Sequence, residues 1–141
     1  MNTKADCGNT RLYDYRDSTG INIMQRWADE MLLSKKIRGR LDSKIDTLAI
    51  AGAEFPPGLV HPTKNKHYKH IFHLVFKGEV ALRPMFCRGP VNPQEEFTFL
   101  FGAIEKDRKY VPKDTLARTE QNRQDLISNP QHRCEHERFG K

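Results

Sequence analysis

Arg83 sits in the run Val80-Ala81-Leu82-Arg83-Pro84-Met85-Phe86, a guanidinium embedded among apolar residues. Such a group needs an anionic partner, because an unpaired charge away from water is strongly destabilising. A structural carboxylate such as Glu79 or Glu96 would serve. So would a phosphate, whose oxygens match the planar donor fork of arginine. A second cluster, Glu105-Lys106-Asp107-Arg108-Lys109-Tyr110, follows directly on the apolar run EFTFLFGAI. A mixed-charge run is by default a solvated face. At a strand end, however, its cations can converge with Arg83 from a neighbouring strand. Lys106, Arg108 or Lys109 would then contact phosphate, and Tyr110 would stack on a base. Upstream, YKHIFHLVF carries His70 and His73, each able to act as general acid or base if it faces a basic cleft, and otherwise a packing or solvent-facing residue.

The distribution of charge sharpens this reading. Residues 61 to 113 hold 10 Lys and Arg against 5 Asp and Glu, residues 1 to 60 hold 9 against 8, and residues 114 to 141 hold 5 against 5. Nearly all of the net charge of +6 therefore lies in the strand-rich segment. Positive charge concentrated on a sheet, with balanced flanks, suits a phosphate backbone.

Metal and thiol chemistry are expected to be absent. His67, His70 and His73 recur every third residue, which alternates their faces on a strand. His132, Cys134 and His136 alternate near the C-terminus without a second pair at zinc-finger spacing. Cys87 lacks an evident activating base and reads as a half-buried structural residue. Three widely spaced cysteines and an N-terminus without an apolar stretch point to a reducing cytoplasm, and no window is long and apolar enough to span a membrane.

The elements that must position these groups follow from hydrophobic spacing. Leu12, Tyr13 and Tyr15 form a short edge-strand candidate. After DSTG, with Asp17, Ser18 or Thr19 as the cap, Met24, Trp27 and Met31 share one helical face. Ile37, Leu41, Ile45 and Leu48 share another, giving an αα-hairpin that Gly52 ends. The Pro-rich FPPGLVHP leads into three strands, YKHIFHLVF, VALRPMF and EFTFLFGAI, joined as an antiparallel meander. Pro112 opens a last helix bearing Leu116, Thr119, Arg123, Leu126 and Ile127, which Asn129 and Pro130 end. The expected class is α+β: a small antiparallel sheet packed against an N-terminal αα-hairpin, with a C-terminal helix. One domain spans residues 12–127, between a flexible N-terminus (1–11) and a loosely docked polar tail (128–141).

This order of elements, with HLVFKGEVALRPMF followed by FTFLFGAIEKDRKYVPKDTLART, resembles the RelE/ParE toxin superfamily of type II toxin–antitoxin modules, in particular its HigB and phage Gp49-like branch. The resemblance implies a toxin that is a metal-independent endoribonuclease cutting ribosome-bound mRNA, without cofactor. It also implies a cognate antitoxin as partner in a toxin–antitoxin hetero-oligomer. Arg83 matches the second-strand arginine of the branch, and Lys106 and Lys109 its basic residues after the last strand; with Tyr110 and His73 these form the expected catalytic set. Lys69, His70, Lys77, Arg88 and Arg108 are the expected RNA contacts. The chain departs at Val75, where the branch carries an arginine that Lys69 or Lys77 would have to replace. That departure keeps open a non-catalytic alternative, such as a ParE-like inhibitor of DNA gyrase.

Overall fold

The computed structural model describes residues 10–140. The first strand, β1 (Arg11–Tyr15), leads through a turn into α1 (Ile23–Glu30) and α2 (Lys35–Ala51). Helix α1 starts later than Asp17, Ser18 or Thr19 would have placed it. Asp17 Oδ1 instead accepts from Thr19 N at 2.9 Å, Thr19 Oγ1 at 2.6 Å and Ile21 N at 3.0 Å, closing a turn in which Gly20 takes φ +87°. Asn22 then caps the helix, accepting from Met24 N and Gln25 N. Ser34 caps α2 in the same manner, and Leu41, Ile45 and Leu48 turn inward as their spacing predicts. Gly52, at φ +64°, ends it.

The rest of the sheet comprises β2 (Val60–Pro62), β3 (Ile71–Leu74), β4 (Ala81–Arg88), β5 (Glu96–Lys106), β6 (Lys109–Val111) and β7 (Arg133–Glu135). A 3-10 turn at Lys66–Tyr68 precedes β3, and α3 (Thr115–Ser128) precedes β7. Pro112 lies before α3 rather than in its first turn, and its carbonyl accepts from Thr115 N at 3.1 Å. The architecture is α+β, with an αα-hairpin, a sheet and a C-terminal helix. The sheet is larger than expected, with seven strands in the order β2-β3-β4-β5-β1-β7 and β6 paired to the far end of β5. All pairings are antiparallel except β1 with β5.

The two sheet faces bury different sets. Met24, Trp27, Leu41, Ile45 and Leu48 of the hairpin pack on Phe86, Phe97 and Phe99. On the opposite side Leu126 of α3 meets Tyr15, Cys87 and Leu100, while Leu116 meets Ile71, Met85 and Phe101. A bulge makes the second arrangement possible. Met85 pairs with Phe101 and Phe86 with Phe99, so Leu100 is an extra residue and both it and Phe101 contribute to the α3 side.

The C-terminal residues depart most from expectation. They are docked rather than loose, and they turn β1 from an edge into an interior strand, with β7 as its outer neighbour. Past β7, His136 Nδ1 lies 2.8 Å from Asp14 Oδ1, Phe139 is buried in the hairpin core, and Asp42 accepts from Phe139 N and Gly140 N at 2.8 and 2.9 Å. Tail docking was hidden because its partners, Asp14 and Asp42, are single carboxylates far away in sequence. At the other end, the expected flexible segment lies outside the described residues up to residue 9; Thr10 N bonds Ala49 O at 2.8 Å and Arg11 begins β1. No helix among the described residues is long and apolar enough to cross a membrane.

Candidate functional site

The β2–β3–β4–β5 meander and the β5–β6 hairpin bring five reactive side chains to the α3 side of the sheet. His61 and His73 are cross-strand partners on β2 and β3, with ring centroids 5.6 Å apart. Tyr110 reaches in from β6, its hydroxyl 2.6 Å from His73 Nδ1. On β4, Arg83 donates Nε to Glu105 Oε1 at 3.0 Å and Nη1 to the carbonyls of Phe76 and Leu82 at 3.1 and 2.9 Å. Its Nη2 donors have no partner among the described residues. Glu105 is therefore the structural carboxylate of Arg83, where the sequence had suggested Glu79 or Glu96. Arg83 and Glu105 lie 22 residues apart on consecutive strands, and only the β4–β5 register aligns them.

A cleft of about 740 Å³ opens over this cluster, lined by His61, His73, Glu105 and Tyr110, by Lys64 and Arg108 as cations, and by Leu116 of α3. The surroundings set protonation states. Burial, then the nearby Arg83 and His61 charges, push the His73 imidazole down to about 4, so it is neutral near pH 7. Burial and the Glu105 carboxylate push the Tyr110 phenol up to about 12, so it keeps its proton. The hydrogen bond from Arg83 holds Glu105 below the usual carboxylate range. In the tautomer whose Nδ1–H donates to the phenol oxygen the Tyr110 proton is free for a ligand, and in either tautomer His73 Nε2 is buried without a partner among the described residues. His73 thus orients Tyr110, and the exposed His61 at the rim is the imidazole open to exchange with solvent.

This burial makes a pH prediction. Between about pH 6.5 and pH 4 an unfolded chain protonates this histidine while the fold keeps it neutral, so its stabilising contribution is full above that window and is lost as pH falls through it. The loss should be on the order of 3 kcal/mol across the window. Denaturant midpoints of wild type and His73→Phe near neutral and near pH 4 test this. The variant should lose distinctly less stability on acidification, and an equal loss in both would show that the buried imidazole is not responsible.

Of the residues expected from sequence, the structure brings together His73, Arg83, Arg108 and Tyr110. Lys106 and Lys109 are exposed at the hairpin end, flanking its turn rather than lining the cleft. Lys69, His70 and Lys77 are exposed and also outside the lining. Arg88 is on the opposite face: its guanidinium lies 4.5 Å from the centroid of the Phe55 ring, Nη2 donates to Ala53 O at 3.0 Å, and burial lowers its basicity. Lys64 and Arg108 supply the cations that Lys69 and Lys77 do not, and Val75 is buried. His61 and Glu105 were missed because their roles depend on strand pairing; the alternation of His61 with apolar Val60 was their only local signal. Cys87 is fully buried, its thiol pushed up to about 12 by burial. No group of three or more His, Cys, Asp or Glu among the described residues is placed to hold a metal ion.

Asp107 and Arg108 form the two-residue turn of the β5–β6 hairpin with φ of +52° and +64°. Both values belong to the left-handed region that such hairpins require and that glycine occupies at least cost. An arginine retained there, with its side chain lining the cleft, trades local strain for a cation at the mouth. Arg108→Gly should raise stability by up to about 1 kcal/mol while weakening binding of an RNA oligonucleotide, checked by thermal melts and filter binding. Equal affinity in both proteins would remove Arg108 from the binding surface.

No family model matches the chain, and neither the curated proteins nor the solved structures include a significant match.

Proposed function

We propose that this protein is a metal-independent endoribonuclease, the toxin component of a type II toxin–antitoxin module acting on ribosome-bound mRNA and held in check by a cognate antitoxin. The observation that carries the catalytic part is one cation-rimmed cleft lined by His61, His73, Glu105 and Tyr110, with Arg83 hydrogen-bonded to the Glu105 of its wall. The ribosome and antitoxin rest on the resemblance to the RelE/ParE toxins in element order and in the segments around Arg83 and Lys106–Lys109.

The groups suit RNA transesterification. The 2′-oxygen attacks the adjacent phosphorus, the P–O5′ bond breaks, and a 2′,3′-cyclic phosphate and a 5′-hydroxyl result. Arg83, held by Glu105 and two carbonyls, presents Nη2 to a non-bridging oxygen, where negative charge grows in the transition state. Lys64 and Arg108 add positive potential at the rim. His61 accepts the 2′-hydroxyl proton and Tyr110, positioned by His73, gives a proton to O5′; exchange with solvent restores both groups.

Incubating the purified protein with mRNA-programmed ribosomes, and separately with naked RNA, tests the proposal. Fragments with 5′-hydroxyl ends, cut in register with the occupied A site, are the expected result. Intact RNA from folded protein overturns it. Val75, buried and apolar where the branch carries an arginine, favours one alternative, a non-catalytic binder such as a ParE-like gyrase inhibitor. Gyrase inhibition with intact RNA is the outcome that would establish it.

A further inference from the structure

β5 has a break along one edge. β1 pairs with it only as far as Asp14 and Phe99, and β6 begins opposite Ile104, so residues 100–103 have no strand beside them there. At the break the chains part: β1 leads to α1 on one face of the sheet, and β6 leads to α3 on the other. Neighbouring chains leaving toward opposite faces open a crevice there. Here it measures about 670 Å³, and its lining shares no residue with the His61–Tyr110 cleft.

Gly102 and Trp27 define its interior. A Cβ on Gly102 would lie 2.0 Å from the Trp27 ring, so the indole rests directly on the strand. Lys106 and Lys109 close the two-residue hairpin, so by alternation the peptide groups of residues 106, 104 and 102 turn toward the β6 side. Pro84, which has no N–H, sits opposite Gly102 on β4 and agrees with that orientation. The Gly102 peptide groups therefore face the break. In the same break Asn122 Nδ2 donates to Leu100 O at 2.8 Å. Trp27 is only 8% exposed, yet no described residue accepts from its indole N–H, and that atom is not among those sealed from solvent. On the α3 side the Arg118 guanidinium lies 4.8 Å from the centroid of the Phe101 ring, with Gln121 beside it in the lining.

We propose that this crevice is a nucleobase subsite, taking a flat heterocycle edge-on, its hydrogen-bonding edge toward Gly102 and the Trp27 N–H and its face toward Arg118. An added strand does not fit, because β1 and β6 block both ends of the break. A bare phosphate would leave the aromatic wall unused. The ribonuclease reading enters only as the source of the base: an RNA chain crossing the β5–β6 hairpin, where Tyr110 lines one opening and Val111 the other.

Trp27 is the sole tryptophan, so its emission, excited at the red edge of the indole band, reports occupancy. The full chain is titrated with adenosine 5′-monophosphate, uridine 5′-monophosphate and ribose 5-phosphate. Saturable loss of emission with a nucleotide and none with ribose 5-phosphate is expected, weakened roughly tenfold in Arg118→Ala. Gln121→Ala, on an exposed helix surface, should shift affinity in the same direction and guards against a packing effect at Phe101. No response to either nucleotide, an equal response to ribose 5-phosphate, or wild-type affinity in both α3 variants overturns the subsite. Nucleotide binding by a protein that leaves RNA intact keeps the subsite and removes the nuclease reading; cleavage without a nucleotide response does the reverse.

Discussion

Arg83→Ala is expected to lower RNA cleavage by about a hundredfold to a thousandfold while leaving a folded protein, the usual consequence of deleting one preorganised donor at a developing oxyanion. The geometry explains why the effect should be large. The side chain is 12% exposed, and Nε and Nη1 are committed to Glu105, Phe76 O and Leu82 O, so Nη2 is held in place before substrate arrives. A donor fixed in advance costs no reorganisation in the transition state. The substitution strands a partly buried carboxylate and two carbonyls, which should cost about 1–3 kcal/mol. Cleavage rates on programmed ribosomes, read with far-ultraviolet circular dichroism and melting temperature, separate the two effects. Arg83→Lys restores charge without the planar fork and should recover only a small part of the rate; it is also the deciding variant if the alanine protein fails to fold. Full activity in a folded Arg83→Ala protein would take Arg83 out of the chemistry.

Within the site, residues were legible where local pattern alone decided their position. Arg83 stands out as a cation in an apolar strand, and Tyr110 follows a strand end, so both could be placed from spacing. Glu105 and His61 could not, because their partners are set by the β4–β5 and β2–β3 registers. The same limit explains Lys106 and Lys109. Their basic character was plain, but a two-residue turn with positive φ at Asp107 and Arg108 directs Arg108, not the lysines, to the cleft. Arg88 failed for another reason: five residues beyond Arg83 on β4, alternation places it on the hairpin face, where it covers Phe55, Phe72 and Phe97. The helices were more readable, since α2 follows its 3.6-residue period from Ser34 to Gly52. Sheet size was not, because β7 has only three residues and no apolar alternation to announce it.

The largest loss of stability is expected from Asp14→Ala, at about 3–5 kcal/mol, the range for breaking a buried charged hydrogen-bond network. Asp14 is fully buried on β1 and accepts from Asn22 Nδ2 at 2.9 Å, His136 Nδ1 at 2.8 Å and Glu137 N at 3.0 Å. It thereby fastens the residue that caps α1 and the segment that follows β7 to one strand. Removing it takes an acceptor from His136 Nδ1 and Glu137 N and leaves Asn22 Nδ2 only Glu137 Oε1 and Cys134 Sγ, in a space lined by Phe99 and Phe139, whose rings flank His136. Asp14→Asn keeps an acceptor oxygen and should cost less. Denaturant midpoints give the magnitude, and limited proteolysis gives the location: cleavage after β7 should accelerate before cleavage in β4 or β5. The meander and its His61–Tyr110 cleft depend on β2 to β6, whereas the C-terminal segment secures β1 and the helical hairpin on the other side of β5. Conditions that retain native sheet structure should therefore preserve RNA binding in Asp14→Asn even as its C-terminal segment becomes protease-sensitive. Simultaneous loss of binding and tail protection would show instead that the two halves of the sheet open as one unit.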